Sequence, residues 1–182
     1  MKVTESKIKG ILVIEIDVYT DSRGYFAETF NSERYKDQGI SVDFVQDNIS
    51  VSKKGTLRGL HYQIPPKAQA KLCHVIKGCV LDVAVDIRFG SPTFGKHLAV
   101  ELSEKNHTQI FIPAGFAHGF AVLSDEVIFQ YKCSEFYSKE HERSIRFDDP
   151  DLIIKWGIEN PIVSDKDMNA KYLKEIETHF TF

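Results

Sequence analysis

Cysteine is scarce in this chain. Cys73, Cys79 and Cys133 are too few, and odd in number, for a disulfide framework. All three fall in apolar, strand-like runs, so they read as buried thiols suited to a reducing cytoplasm. Excess positive charge is also missing. A formal net charge of -3 excludes a general attraction to nucleic acid or to an anionic membrane. Any anion bound must be held by a local cluster of Arg, Lys and His. Long apolar runs are lacking too. The best early one, Ile11 to Ile14, is far short of a membrane span, and Lys2, Glu5, Lys7 and Lys9 interrupt any signal peptide. No repeat, low-complexity stretch or linker divides the 182 residues, which predicts one domain over 1–182. A chain of this length buries an adequate core without staples.

What the chain has is strand pattern. Ile8 to Tyr19 is rich in Ile and Val and ends at the turn signal Asp21-Ser22-Arg23-Gly24. Tyr25 to Phe30 reads as a short extended segment. Asn31 and Gly39 fit the two ends of a helix over Ser32 to Gln38. Phe44 to Ser52 resumes strand character. From Cys79 to Arg88 the alternation is clearest: Cys79, Leu81, Val83, Val85 and Ile87 share one face. Asp82, Asp86 and Arg88 share the other with Val80 and Ala84, which predicts a half-buried antiparallel strand. Further strands fit His97 to Leu102, Gln109 to Ile112, Phe120 to Leu123 and Val127 to Cys133. Ser164-Asp165-Lys166-Asp167 starts a C-terminal helix, with Ala170, Leu173, Ile176 and Phe180 at helical spacing. The expected fold is mainly β: an antiparallel sandwich or jelly roll, a short helix in the N-terminal half and a C-terminal helix.

The chemistry concentrates in Leu57 to Lys71, LRGLHYQIPPKAQAK. Arg58, His61, Gln63 and Lys71 lie within fifteen residues, beside the Pro65-Pro66 turn. A base with two cations suits a site that binds an anion and removes a proton. His61 is the first candidate base, because an unperturbed imidazole as a group titrates near neutral pH. Taken alone, Lys71 reads first as an edge lysine in solvent; brought back by a hairpin, it could stabilise an oxyanion. Tyr131 shares the apolar face of its strand with Val127, Phe129 and Cys133. A buried phenol needs either a backbone partner or a role as acid. Arg58 and His61 are an odd number of residues apart, so simple alternation puts them on opposite faces. A bulge at Gly59 would re-aim them; otherwise one points outward. Asp167 fits first a capping box with Ser164; its carboxylate could still contact His61 and fix its tautomer.

His118 lies in Pro113-Ala114-Gly115-Phe116-Ala117-His118, which resembles the second motif of cupins. In metal cupins that His joins an HxH pair and a Glu. Here His61-Tyr62-Gln63 carries Gln at the second position, so no catalytic metal is expected.

Six motifs in order resemble the dTDP-4-dehydrorhamnose 3,5-epimerase family, of cupin fold. They are DSRGYFAETF (21–30), QDNIS (46–50), LRGLHYQIPPKAQAKL (57–72), DVAVDIRFGSPTFG (82–95), PAGFAHGF (113–120) and SDKD (164–167). The resemblance implies a cupin-type jelly roll and a cytoplasmic homodimer without a cofactor. The reaction it implies is epimerisation at C3 and C5 of dTDP-4-dehydro-6-deoxy-D-glucose. It makes His61 the base, Asp167 its partner, Lys71 the enolate stabiliser and Tyr131 the opposite-face acid. Substrate contacts would fall to Arg23, Phe26, Glu28, Gln46, Asn48, Arg58, His118, Glu142 and Lys166. Tyr137 would stack on thymine. Arg23 and its neighbours would reach the partner subunit's site. His74, His97 and Phe111 depart from the family pattern, which has Arg at the first place and commonly Trp at the other two. The alternatives are a 3- or 5-mono-epimerase, or a non-catalytic sugar-nucleotide-binding cupin.

Overall fold

The computed structural model describes residues 1–177 and 179–182. In chain order the strands are β1 (Lys2–Glu5), β2 (Leu12–Glu15), β3 (Val18–Asp21), β4 (Gly24–Ala27), β5 (Gln46–Lys53), β6 (Leu57–Gln63) and β7 (Lys71–Lys77). They continue as β8 (Cys79–Asp86), β9 (His97–Ser103), β10 (Thr108–Ile112), β11 (Phe116–Val122), β12 (Glu126–Cys133) and β13 (Glu142–Ser144). Two short helices, α1 (Ser32–Asp37) and α2 (Asp165–Met168), complete the regular structure. An antiparallel sheet of order β1-β2-β10-β7-β12-β5 faces a second of order β13-β6-β11-β8-β9. The β3–β4 hairpin stands apart from both.

The alternation of each strand explains this sandwich. Val80 and Ala84 of β8, with Phe116 and Phe120 of β11, meet Cys73, Val75, Val127 and Phe129 from the opposite sheet. Each such side chain taken fully from water contributes about 1.5–3 kcal/mol. The other face of β8 is covered as well. Val83, Val85 and Ile87 pack with Ile145, Phe147, Leu152 and Trp156 of the C-terminal segment. The expectation of a half-buried strand is therefore corrected: from Asp82 to Asp86 both faces of β8 are buried, with Asp82 and Asp86 fully so.

Two other expectations change. The run from Ile8 to Tyr19 is not one strand. A turn in which Ser6 N–H donates to the Ile11 carbonyl, with Gly10 at φ 99°, precedes β2. At the other end, α2 stops at Met168, and one 3-10 turn follows at Leu173–Glu175. The helical spacing there reflects separate anchors. Leu173, Ile176 and Phe180 all pack on the outer core. Their backbone is held by the body of the protein, not by a helix: Arg146 N–H donates to Lys171, Phe89 N–H to Phe180, and Leu173 N–H to the Asp149 carboxylate. Tertiary hydrogen bonds thus replace the ladder that the spacing alone suggests.

The helix α1 matches its expected place. Asn31 Oδ1 accepts from Arg34 N–H, as an N-cap should. Tyr35 anchors it, donating to the buried Gln109 Oε1 at 2.6 Å.

Candidate active site

One end of the sandwich opens into two adjoining cavities, of about 380 and 220 Å³. Both are lined by His61, Lys71 and Tyr131, which therefore stand at their junction. The sheets deliver these groups from opposite sides. His61 projects from β6, in the five-stranded sheet. Lys71 and Tyr131 project from β7 and β12, adjacent strands of the six-stranded sheet. The Lys71 Nζ lies 5.9 Å from the centre of the Tyr131 ring and 3.5 Å from the His61 carbonyl.

The His61 Nε2 is 2.6 Å from Asp167 Oδ1. Asp167 is buried, and its second oxygen accepts a long bond from Gly59 N–H at 3.4 Å. Ser164 does cap α2, accepting from Asp167 N–H at 3.2 Å. The Asp167 side chain is not the other half of a capping box; it turns into the site. Burial pushes its carboxyl up, but the His61, Gly59 and Ser164 hydrogen bonds outweigh this and hold it below its ordinary value. A carboxylate so placed fixes the imidazole tautomer and leaves the other ring nitrogen as proton acceptor.

Burial, with Cys133 and Cys73 adding to it, pushes the Tyr131 phenol up to about 12. It stays protonated at neutral pH and can donate. The inner cavity also takes in Arg58, Ser50, His118 and Phe120. Arg58 and His61 do reach one cavity in one chain, despite their odd spacing. Pairing between β6 and β11 slips between His118 and Phe120, a bulge at Gly59. Glycine is required there: a Cβ on Gly59 would lie 2.5 Å from Gly119 Cα, and its φ is 126°. The outer cavity adds Gln46, Asn48, Tyr137 and Glu142. Glu142 accepts from Tyr137 Oη at 2.9 Å and pairs with Lys166.

The family model for dTDP-4-dehydrorhamnose 3,5-epimerase matches residues 5–175. The enzyme of that name from Shigella flexneri is 52% identical over 94% of this chain and 95% of its own. A crystal structure of dTDP-6-deoxy-D-glucose-3,5-epimerase from Legionella pneumophila, in complex with dTDP-4-keto-L-rhamnose, superposes with a TM-score of 0.96 at 46% identity. It covers 100% of this chain and 98% of that one. A dTDP-4-dehydro-6-deoxyglucose 3-epimerase from a Streptomyces species is 39% identical over 93% of this chain and 88% of its own. The chain belongs to the dTDP-4-dehydrorhamnose 3,5-epimerase family. It is thus an isomerase of cupin fold.

Within this family member, four expected contacts line neither cavity: Arg23, Phe26, Glu28 and Lys166. Arg23 pairs with Asp21 on the exposed β3–β4 hairpin, Phe26 is 70% exposed, and Glu28 pairs with Arg34. The three departures from the family pattern also stay out of both cavities. His74 pairs in register with Gln109 and Gln130, one position off the inward-facing Cys73. His97 lies on β9 against the Leu152 backbone, and Phe111 packs under α1. All three are packing residues here.

Sequence reasoning missed three groups. Ser50 lines the inner cavity, and its buried Oγ has no hydrogen-bond partner. The signal was present, since Gln46, Asn48 and Ser50 alternate along β5. Cys133 lines the outer cavity and accepts a weak bond from Asn48 at 3.5 Å. Asp82 lies behind His118, its Oδ2 2.9 Å from His118 Nε2. Burial lowers the His118 imidazole, with Asp82 opposing, so the ring is held towards its neutral form. Gln63 lines the outer cavity with its amide already engaged: it donates to the Lys67 and Phe136 carbonyls and accepts from Ser138 N–H.

Proposed function

We propose that this protein inverts carbons 3 and 5 of dTDP-4-dehydro-6-deoxy-D-glucose, giving dTDP-4-dehydro-L-rhamnose. One observation carries the reading: His61, held by Asp167, and the protonated Tyr131 line the same cavities from opposite sheets. The 4-ketone acidifies the hydrogens on both flanking carbons, because the carbanion delocalises into an enolate. His61 takes the proton from one face. Tyr131 returns one to the other face, which inverts the carbon. Lys71 stabilises the enolate oxygen. Arg58 and His118 bind the substrate in the inner cavity. Gln46, Asn48 and Glu142 hold it in the outer one, where Tyr137 stacks on the thymine, and Lys166, paired with Glu142, reaches it from the edge. None of these steps calls for a cofactor.

A homodimer fits the same reading. Arg23, Phe26 and Glu28 are solvent-facing and line neither of their own chain's cavities, as groups serving a partner's site would do. Ile49 and Val51 are 63% and 58% exposed on the edge strand β5, an apolar surface suited to a second copy. Among the described residues, no helix is long and apolar enough to cross a membrane. Free thiols at Cys73, Cys79 and Cys133 suit a cytoplasmic setting.

The test is incubation with dTDP-4-keto-6-deoxyglucose in heavy water, with NMR of the product. Solvent label and inverted configuration at both carbons are expected. Label at one carbon alone would indicate a mono-epimerase, and binding without label would indicate a sugar-nucleotide-binding protein.

A further inference from the structure

We infer that Cys73, Asp82 and His118 form a site for a divalent metal ion of the zinc class, at the floor of the inner cavity. All three are buried, and one ligand atom from each lies within 4.8 Å of the other two. His118 Nε2 is 2.9 Å from Asp82 Oδ2 and 3.9 Å from Cys73 Sγ. A tetrahedral zinc with bonds of about 2.0–2.3 Å separates its ligands by about 3.3–3.8 Å. The two His118 separations lie within about half an ångström of that span, and the Cys73–Asp82 separation, at most 4.8 Å, closes onto it by about 1 Å or less.

A second observation points the same way. Asp82 Oδ1 is fully buried and has no hydrogen-bond partner. A buried carboxylate oxygen left bare is costly, and a cation is its natural counterpart. The thiolate and carboxylate together neutralise the ion, which the nearby Lys71 charge makes necessary. On binding, the Cys73 S–H bond breaks, its proton leaves to solvent, and a sulfur–metal bond forms. His118 offers the Nε2 lone pair and carries its ring proton on Nδ1. No electron is transferred. A water from the inner cavity takes the fourth position. This site is not the three-histidine arrangement of metal cupins, since neither His61 nor Gln63 belongs to it. It serves no step of the epimerisation. It withdraws His118 from the cavity wall, so bound metal inhibits.

Cobalt(II) titration of the chelator-treated protein tests this directly, because a cobalt–thiolate bond absorbs in the near ultraviolet whatever the reaction catalysed. One equivalent is expected to produce that band, and zinc to abolish it. Cys73→Val is expected to lose the band, and to weaken inhibition of the epimerase by zinc at least about tenfold. Cys73→Ser serves in its place should the valine variant fail to fold, as judged by circular dichroism. No thiolate band in the wild type, or the same band and the same inhibition in a folded Cys73 variant, would overturn the site.

Discussion

Asp167 Oδ1 and His61 Nε2 stand 2.6 Å apart across 106 residues of chain. Nothing else in the molecule orients that imidazole by a side-chain hydrogen bond among the described residues. Asp167→Asn keeps the shape but cannot hold the same tautomer. It is expected to lower kcat by at least about 100-fold while KM changes little. Steady-state kinetics would decide this. Near-normal kcat would reduce Asp167 to a structural residue.

Tyr131→Phe removes a proton donor and leaves the ring. Washout of substrate hydrogen into solvent is expected to continue, because His61 still abstracts. Net inversion should fail at one or both carbons. The measurement is the ratio of exchange to inversion by NMR. Wild-type inversion would show that another group supplies the second proton.

Gly59→Ala meets two obstacles at once. The new Cβ lies 2.5 Å from Gly119 Cα, and φ is 126°. Backbone strain alone costs about 1–3 kcal/mol, and the clash adds to it. A lower urea midpoint is expected, with loss of activity, since the bulge sets both Arg58 and His61. Retained stability would mean that β6 can shift without losing its register.

Acid stability should depend on Asp86. Burial pushes its carboxyl up, yet bonds from Arg88, Ser91 and Thr93 outweigh this and hold it at about 2. Because the folded value lies below the unfolded one, the stabilisation is complete above the ordinary carboxylate range. It fades as pH falls towards about 2. Asp86→Asn is expected to cost about 2 kcal/mol at neutral pH. Its deficit against the wild type should shrink between roughly pH 4 and pH 2. Urea unfolding across that range would check it, and a pH-independent difference would remove Asp86 as the titrating group.

Much of the sandwich was legible in the sequence. The faces of β12 match the alternation of Val127, Phe129, Tyr131 and Cys133, because side-chain direction in a strand is a local backbone property. Burial of both faces of β8 was not legible. It depends on the C-terminal segment, and an irregular segment has no period to read. The helical spacing after Ala170 misled for the same reason: Leu173, Ile176 and Phe180 reach the core one by one.

Residue types and short-range pattern were thus determined by the sequence alone: strands, caps, a base, an acid and two cations within motifs that a family shares. Which of these groups meet was decided by the tertiary structure. Asp167 had a local capping role available, and only closure of the chain across β6 and α2 turned its carboxylate to His61. Arg58 and His61 share a cavity because Gly59 and Gly119 let two backbones approach, a contact between strands far apart in sequence. Cys73, Asp82 and His118 come from three strands in two sheets. Local periodicity records which way a side chain points along its own strand; it holds no record of what lies opposite.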